Sequence, residues 1–291
     1  MNTGGSIAQG AVRRFLFYYI FFLIVVQQVV FVLVGLLGLD LTFDPVLRVW
    51  VFVCFVPVPL AAWRVAVERR VLAEAAWKNW IPWALTGVVM FGLWSGSYFA
   101  VGLLTDPANA RLLPPEWERF DRFVPFDPSF VFLYICVYPF FLLPFLRMSS
   151  NGPLLRLVIG LVIMLAISYA FFLTMPVTYP RPSLPDGPEF PVWVMQIVHG
   201  RDPPWNCLPS THCAVALLAA LTMYESSRKL GIWALMTAFL IALSTIFTKQ
   251  HYIVDAIAGF ALAGLTYWLL LWIWRNPEKI PKRARQLIRE D

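Results

Sequence analysis

Two of the three histidines in this 291-residue chain stand in settings that suit acid–base or nucleophilic chemistry. His212 lies in NCLPSTHCAV, residues 206–215, and His251 lies in TKQHYIVD, residues 248–255, four positions before Asp255. On a helix that spacing puts both side chains on one face, one turn apart. A carboxylate held against one imidazole nitrogen fixes the tautomer, orients the ring and raises the basicity of the other nitrogen. Taken alone, the pair equally suits two groups that satisfy each other at a membrane surface. Ser210, with Pro209 just ahead, is placed to cap the helix that His212 opens. The free amides and the positive dipole end of a first turn form an anion site. Arg181 and Lys249 supply cations nearby in the scheme below. A phosphate group is the anion that calls for this set.

The elements that must bring these residues together are apolar helices. The chain is 59% hydrophobic and 14% charged, whereas soluble domains carry nearer a quarter charged residues. Eight apolar segments have the length needed to cross a bilayer: about 15–38, 45–63, 81–104, 128–146, 153–175, 209–226, 231–248 and 252–274. The first is too long for a signal peptide and no small-residue cleavage site follows it. An all-α integral membrane protein is therefore expected. With the N-terminus in the cytoplasm and spans alternating, 16 of the 23 Lys and Arg fall inside, as do only 6 of the 17 acids. That asymmetry obeys the positive-inside rule. It accounts for the formal +6 charge without a nucleic-acid partner, and the basic tail reads as an anchor near anionic headgroups. Both termini are then cytoplasmic. His212 and His251, 39 residues apart, meet on the opposite, extracytoplasmic side, because spans six and seven run in and back out.

Three connecting stretches stand out. RVAVERRVLAEAAWKNW (64–80) suits a basic helix on the inner membrane face or a charged loop with interfacial tryptophans. The segment 104–127, with PPEWERFDRF, predicts a short amphipathic helix introduced by Pro114 and Pro115, as a lid or a plain connector. MPVTYPRPSLPDGPEFPVW, opening the loop 176–208, is too proline-rich for regular structure and makes a stiff wall. Cys207 and Cys213 are read as small core thiols, a disulfide being the alternative. Neither a CxxC pair nor a metal-type spacing occurs, so no metal or cofactor is expected.

PRP at 180–182, PSTH at 209–212 and STIFTKQHYIVD at 244–255 together resemble the type 2 phosphatidic acid phosphatase superfamily of membrane lipid phosphatases and phosphotransferases. The resemblance covers roughly residues 80–275. It implies a six-helix catalytic core at 81–275, an added N-terminal hairpin with the basic stretch in 1–80, and a basic tail at 276–291. It also implies roles. His251 attacks phosphorus to give a phosphohistidine, Asp255 orients it, and His212 serves as general acid and then general base. Arg181, Ser210, Thr211, Lys249 and the first amides of span six hold the phosphoryl oxygens. Arg201, Asn206 and His199 are second-tier candidates.

Three departures shape the substrate. Thr174 stands where the family carries lysine, Thr211 where it carries the glycine of Pro-Ser-Gly-His, and Thr245 where it carries arginine. Fewer cations suit a phosphodiester, with about one charge, better than a monoester with about −1.5 to −2. The nearest branch by this criterion is the inositol-phosphotransferase and sphingolipid-synthase one. The expected activity is transfer of a phosphorylated headgroup from a membrane lipid to a lipid or alcohol hydroxyl. Hydrolysis of a lipid phosphate monoester, with water as acceptor, is the alternative enzyme. A Ser210–His251–Asp255 hydrolase, a zinc site on His212, His251 and Asp255, and a non-enzymatic transporter or scaffold are further alternatives.

Overall fold

A computed structural model describes residues 3–38, 56–68, 80–148, 150–184 and 189–279. The acidic turn with Asp40 and Asp44, Cys54, residues 69–79 of the basic stretch and the tail beyond Lys279 lie outside them. The described residues form no strands beyond isolated bridges. Their helices are α1 (Thr3–Phe31), α2 (Pro57–Glu68), α3 (Trp80–Leu104), α4 (Pro115–Glu118), α5 (Val131–Tyr134), α6 (Val137–Arg147), α7 (Asn151–Thr174), α8 (Phe190–Arg201), α9 (Thr211–Ser226), α10 (Arg228–Phe247) and α11 (Ile253–Arg275). The protein is an all-α integral membrane protein, with six stretches long and apolar enough to cross a bilayer among the described residues: 11–36, 81–104, 128–147, 151–174, 228–247 and 253–275.

Two of the eight expected spans are thus accounted for differently. Span 45–63 is described only from residue 56 onward. The stretch 209–226 forms α9, a 16-residue helix only about 24 Å long. It is short because it starts inside the bundle. The preceding backbone descends along α3: Trp205 Nε1 donates to the Gly102 carbonyl at 2.8 Å, and Asn206 Nδ2 to the Tyr98 carbonyl at 3.1 Å. Gly102 makes room, since a Cβ there would lie 2.4 Å from Pro203 Cγ. Irregular backbone at membrane depth is tolerated where protein surrounds it. His212 accordingly sits beside Trp94 and Tyr98, roughly 9–15 Å below the end of α3 at 1.5 Å per residue.

α9 is the central helix, packed by α6, α7, α10 and α11. Its buried face is rich in alanine (Ala214, Ala216, Ala219, Ala220), and small residues let helices approach closely where lipid supplies little hydrophobic drive. The span 128–147 is broken at Ile135–Cys136, between α5 and α6. Pro139 lacks the N–H that the Ile135 carbonyl would take, and Tyr138 N–H donates to it instead at 3.3 Å. The proline-rich loop contains one regular element after all, α8, because Pro191 occupies its first turn, where no N–H is needed. At the end of the bundle away from the histidines, Arg13 donates to the carbonyls of Leu146 and Met148, and Arg156 pairs with Glu225.

Candidate active site

The sequence at the end of α10 explains how His251 is presented. Lys249 adopts φ 55°, and its N–H bonds to Ile246 O at 3.2 Å while Gln250 N–H reaches Thr245 O at 3.0 Å. This is a Schellman cap with lysine where glycine usually stands. The chain reverses sharply, and α11 begins two residues after His251. His251 and Asp255 therefore do not share a helical turn, as their spacing predicted. Asp255 caps α11, its Oδ2 accepting from Tyr252 N–H at 2.9 Å, and lies 3.6 Å from His251 Nδ1.

The direct partner of His251 Nδ1 is the backbone carbonyl of Cys207, at 2.9 Å. A carbonyl only accepts, so Nδ1 carries the proton and the lone pair sits on Nε2. Asp255, fully buried, adds negative charge on the protonated side of the ring. Its backbone carbonyl also accepts from Ser210 N–H at 3.0 Å, joining the starts of α9 and α11. Gly259 permits this: a Cβ there would be 2.4 Å from the Ser210 carbonyl.

Ser210 is the N-cap of α9, its Oγ accepting from Cys213 N–H at 3.4 Å. The amides of Thr211 and His212 have no intrahelical carbonyl to meet. The His212 ring is 5.7 Å from that of His251, centroid to centroid, and is ringed by Tyr134 at 4.7 Å, Trp94 at 6.0 Å, and Tyr98 and Tyr138 at 6.1 Å each. A narrow cleft lined by Trp94, Ser95, Tyr98, Phe99, Tyr138 and His212 leads to it from the exposed Phe99. Thr211 Oγ1, His212 Nδ1, Gln250 Nε2 and Asp255 Oδ1 are buried without a protein partner. Orphaned buried polar atoms are uncommon and call for a reason, and four lie around the two histidines.

The expected phosphate-gripping cations are engaged elsewhere. Arg181 donates to the carbonyls of His199 and Asp202, each at 2.6 Å, and to Gln250 Oε1 at 3.2 Å. Lys249 Nζ donates to the carbonyls of Asp121 and Val124, at 3.0 and 2.6 Å. Burial pulls its pKa down, with Asp121 opposing. Arg201 is exposed at the end of α8, and Asn206 is buried against α3. His199 beside Arg181 is pushed down to about 4, mainly by burial. Cys207 and Cys213 are buried free thiols.

Sequence reasoning missed Asp202, Asp121 and the Cys207 carbonyl. Asp202 accepts from the hydroxyls of Tyr98 (2.8 Å) and Tyr134 (3.0 Å), and its carboxyl is raised by burial while Arg181 acts the other way. Asp121 Oδ1 accepts from Ile253 N–H at 2.8 Å. Both aspartates sit in polar loops, and only a fold reveals their partners. Ligand atoms of Cys207, His251 and Asp255 lie within 4.8 Å of one another and could hold a metal ion. The Cys207 thiol, however, faces the carbonyls of Pro204 and Gln250.

Residues 155–279 match the family model of the PAP2 superfamily. The match spans the PRP, PSTH and HxxxD segments and supports the superfamily, whose chemistry is that of phosphatases and phosphotransferases. No curated protein and no solved structure matches the chain.

Proposed function

We propose that the protein is a lipid phosphotransferase acting through a phosphohistidine on His251. The observation that carries this reading is the meeting of two buried histidine rings at 5.7 Å, one of them held with its Nδ1–H on a carbonyl. In this scheme Nε2 of His251 attacks phosphorus and a P–N bond forms as the P–O bond to the lipid breaks. His212 gives a proton to the departing alkoxide, then takes one from the acceptor hydroxyl as its oxygen displaces His251 from phosphorus. Asp255 stabilises positive charge on the His251 ring. The amides of Thr211 and His212, with the hydroxyls of Ser210 and Thr211, receive the non-bridging oxygens.

The engagement of Arg181 and Lys249 with backbone carbonyls favours the transferase over the phosphatase. Fewer of their N–H donors are left free to grip the additional oxygen charge of a dianionic monoester. The cleft past Phe99 suits a substrate that arrives from lipid. The gathering of Arg13, Arg147, Arg156 and Arg275 at the far end of the bundle supports a cytoplasmic placement of that end and an extracytoplasmic site.

The test supplies purified protein with labelled lipid phosphomonoesters and phosphodiesters, with and without an alcohol acceptor. Headgroup transfer from the diester is expected. Release of inorganic phosphate from the monoester would overturn the transferase preference, and label trapped on a residue other than His251 would overturn the mechanism.

A further inference from the structure

Segment 104–127 forms an unusual strap. Its aromatic side chains point outward: Trp117 is 57% exposed, Phe120 52% and Phe123 85%. Leu112 is also exposed, as are Leu103 and Leu104, the last residues of α3. Its backbone, by contrast, is tied inward on both sides of His251. Two residues before it, Lys249 Nζ holds the carbonyls of Asp121 and Val124. Two residues after it, Ile253 N–H bonds to Asp121 Oδ1. A third tie runs through parallel bridges: Arg111 N–H to Pro176 O at 2.9 Å, Thr178 N–H to Arg111 O at 2.9 Å, and Cys207 N–H to Val177 O at 3.3 Å. Cys207 is the residue whose carbonyl orients His251.

We infer that this strap is seated in the interfacial layer of the bilayer the chain crosses, and that through Asp121 it positions the His251 turn. The occupant of the aromatic ridge follows from continuity, since Leu103 and Leu104 close a helix long and apolar enough to span. The ridge also has the composition of an interface. Trp117, Phe120 and Phe123 alternate with Glu116, Glu118, Arg119 and Arg122, and amphipathic rings beside charged groups settle at headgroup level. Asp121 is the one acidic residue of that run that is buried, and it faces the start of α11 instead of solvent. Lys249 holds a left-handed backbone that is unfavourable for a non-glycine residue, and its two bonds to the strap offset that cost. Membrane seating and order at His251 thus share one set of hydrogen bonds. That this order serves chemistry rests on the phosphohistidine reading above; the seating and the coupling do not.

Two measurements independent of turnover test the strap. A fluorophore on Phe123→Cys, in a Cys54→Ser background, is read in phosphatidylcholine vesicles containing brominated acyl chains. Quenching by the brominated lipid is expected; a water-exposed or protein-covered probe overturns the seating. Amide hydrogen exchange at residues 249–253 is then compared among variants. Asp121→Ala should accelerate it by about tenfold or more, the loss expected for one charged acceptor. Asp121→Asn, which keeps an acceptor oxygen, should restore it. Should the alanine variant fail to fold, the W117S/F120S/F123S variant is used, with faster exchange at 249–253 expected in vesicles. Unchanged exchange in the folded variants overturns the coupling. Where the wild type does transfer headgroups, Asp121→Ala should lower kcat with little change in KM. A wild type without transfer activity, combined with lipid quenching and accelerated exchange, overturns the proposed function and leaves the strap standing.

Discussion

His212 and His251 face each other, yet they are held by opposite means. His212 belongs to the first turn of the central helix and is fixed by packing, with aromatic rings from α3, α5 and α6 on its sides. His251 belongs to no helix. It rides a reversal between α10 and α11, and one carbonyl from the descending loop sets its ring. In the proposed scheme the proton-transfer group must keep its place while lipid oxygens come and go, which suits a rigid helix. An attacking nitrogen must be aimed, which suits a hydrogen bond of fixed direction on the opposite ring nitrogen.

The largest effects should come from separating the two roles. His251→Ala should lower transfer by at least about 10³-fold and abolish covalent labelling. His212→Ala should cost about 10²–10⁴-fold with an alkyl leaving group, and far less with a nitrophenyl leaving group that departs unprotonated. Equal losses for both donors in steady-state assays would erase the proposed distinction.

A second, smaller break strikes the joint between the halves. Gly259→Ala would press a methyl group against the Ser210 carbonyl. The overpacking should cost about 1–3 kcal/mol, seen as a lowered Tm in detergent, with activity falling as α9 and α11 part. An unchanged Tm would mean that the joint yields easily.

The smallest effect concerns the loop that carries the Cys207 carbonyl. His199 takes up a proton near pH 4 in the folded chain and near 6.5 ordinarily. Between those values the unfolded chain binds more protons, so stability should fall as pH drops from about 6.5 toward 4. His199→Asn should flatten that slope in thermal melts at pH 5 and 7. An unaltered slope would assign it to other groups.

Much of this was legible in the chain. Apolar run lengths gave the spanning helices α3, α7, α10 and α11 to within a few residues, because lipid forces backbone bonds inside each segment, whereas α1 begins well before the expected span. Ser210 was recognisable as a cap because its type, its position after Pro209 and the apolar run behind it are local facts. The depth of His212 was not legible, since a short α9 and a long apolar run look alike until the neighbouring helices are in place. The helical pairing of His251 with Asp255 failed for a related reason. Periodicity carries no mark of where a helix starts, and the Schellman turn at Lys249 uses a residue that favours it little.

The sequence by itself determined an all-helical membrane protein and marked two histidines, a carboxylate and a helix cap as candidates for phosphate chemistry, because hydrophobic run length and capping act over a few residues. Only the tertiary structure decided that a carbonyl 44 positions away in the chain holds His251 Nδ1, that Arg181 and Lys249 donate to backbone carbonyls, and that Asp121 joins an exposed strap to the turn. These are hydrogen bonds between backbone and distant side chains, and a backbone carbonyl is the same in every residue, so no residue type announces them.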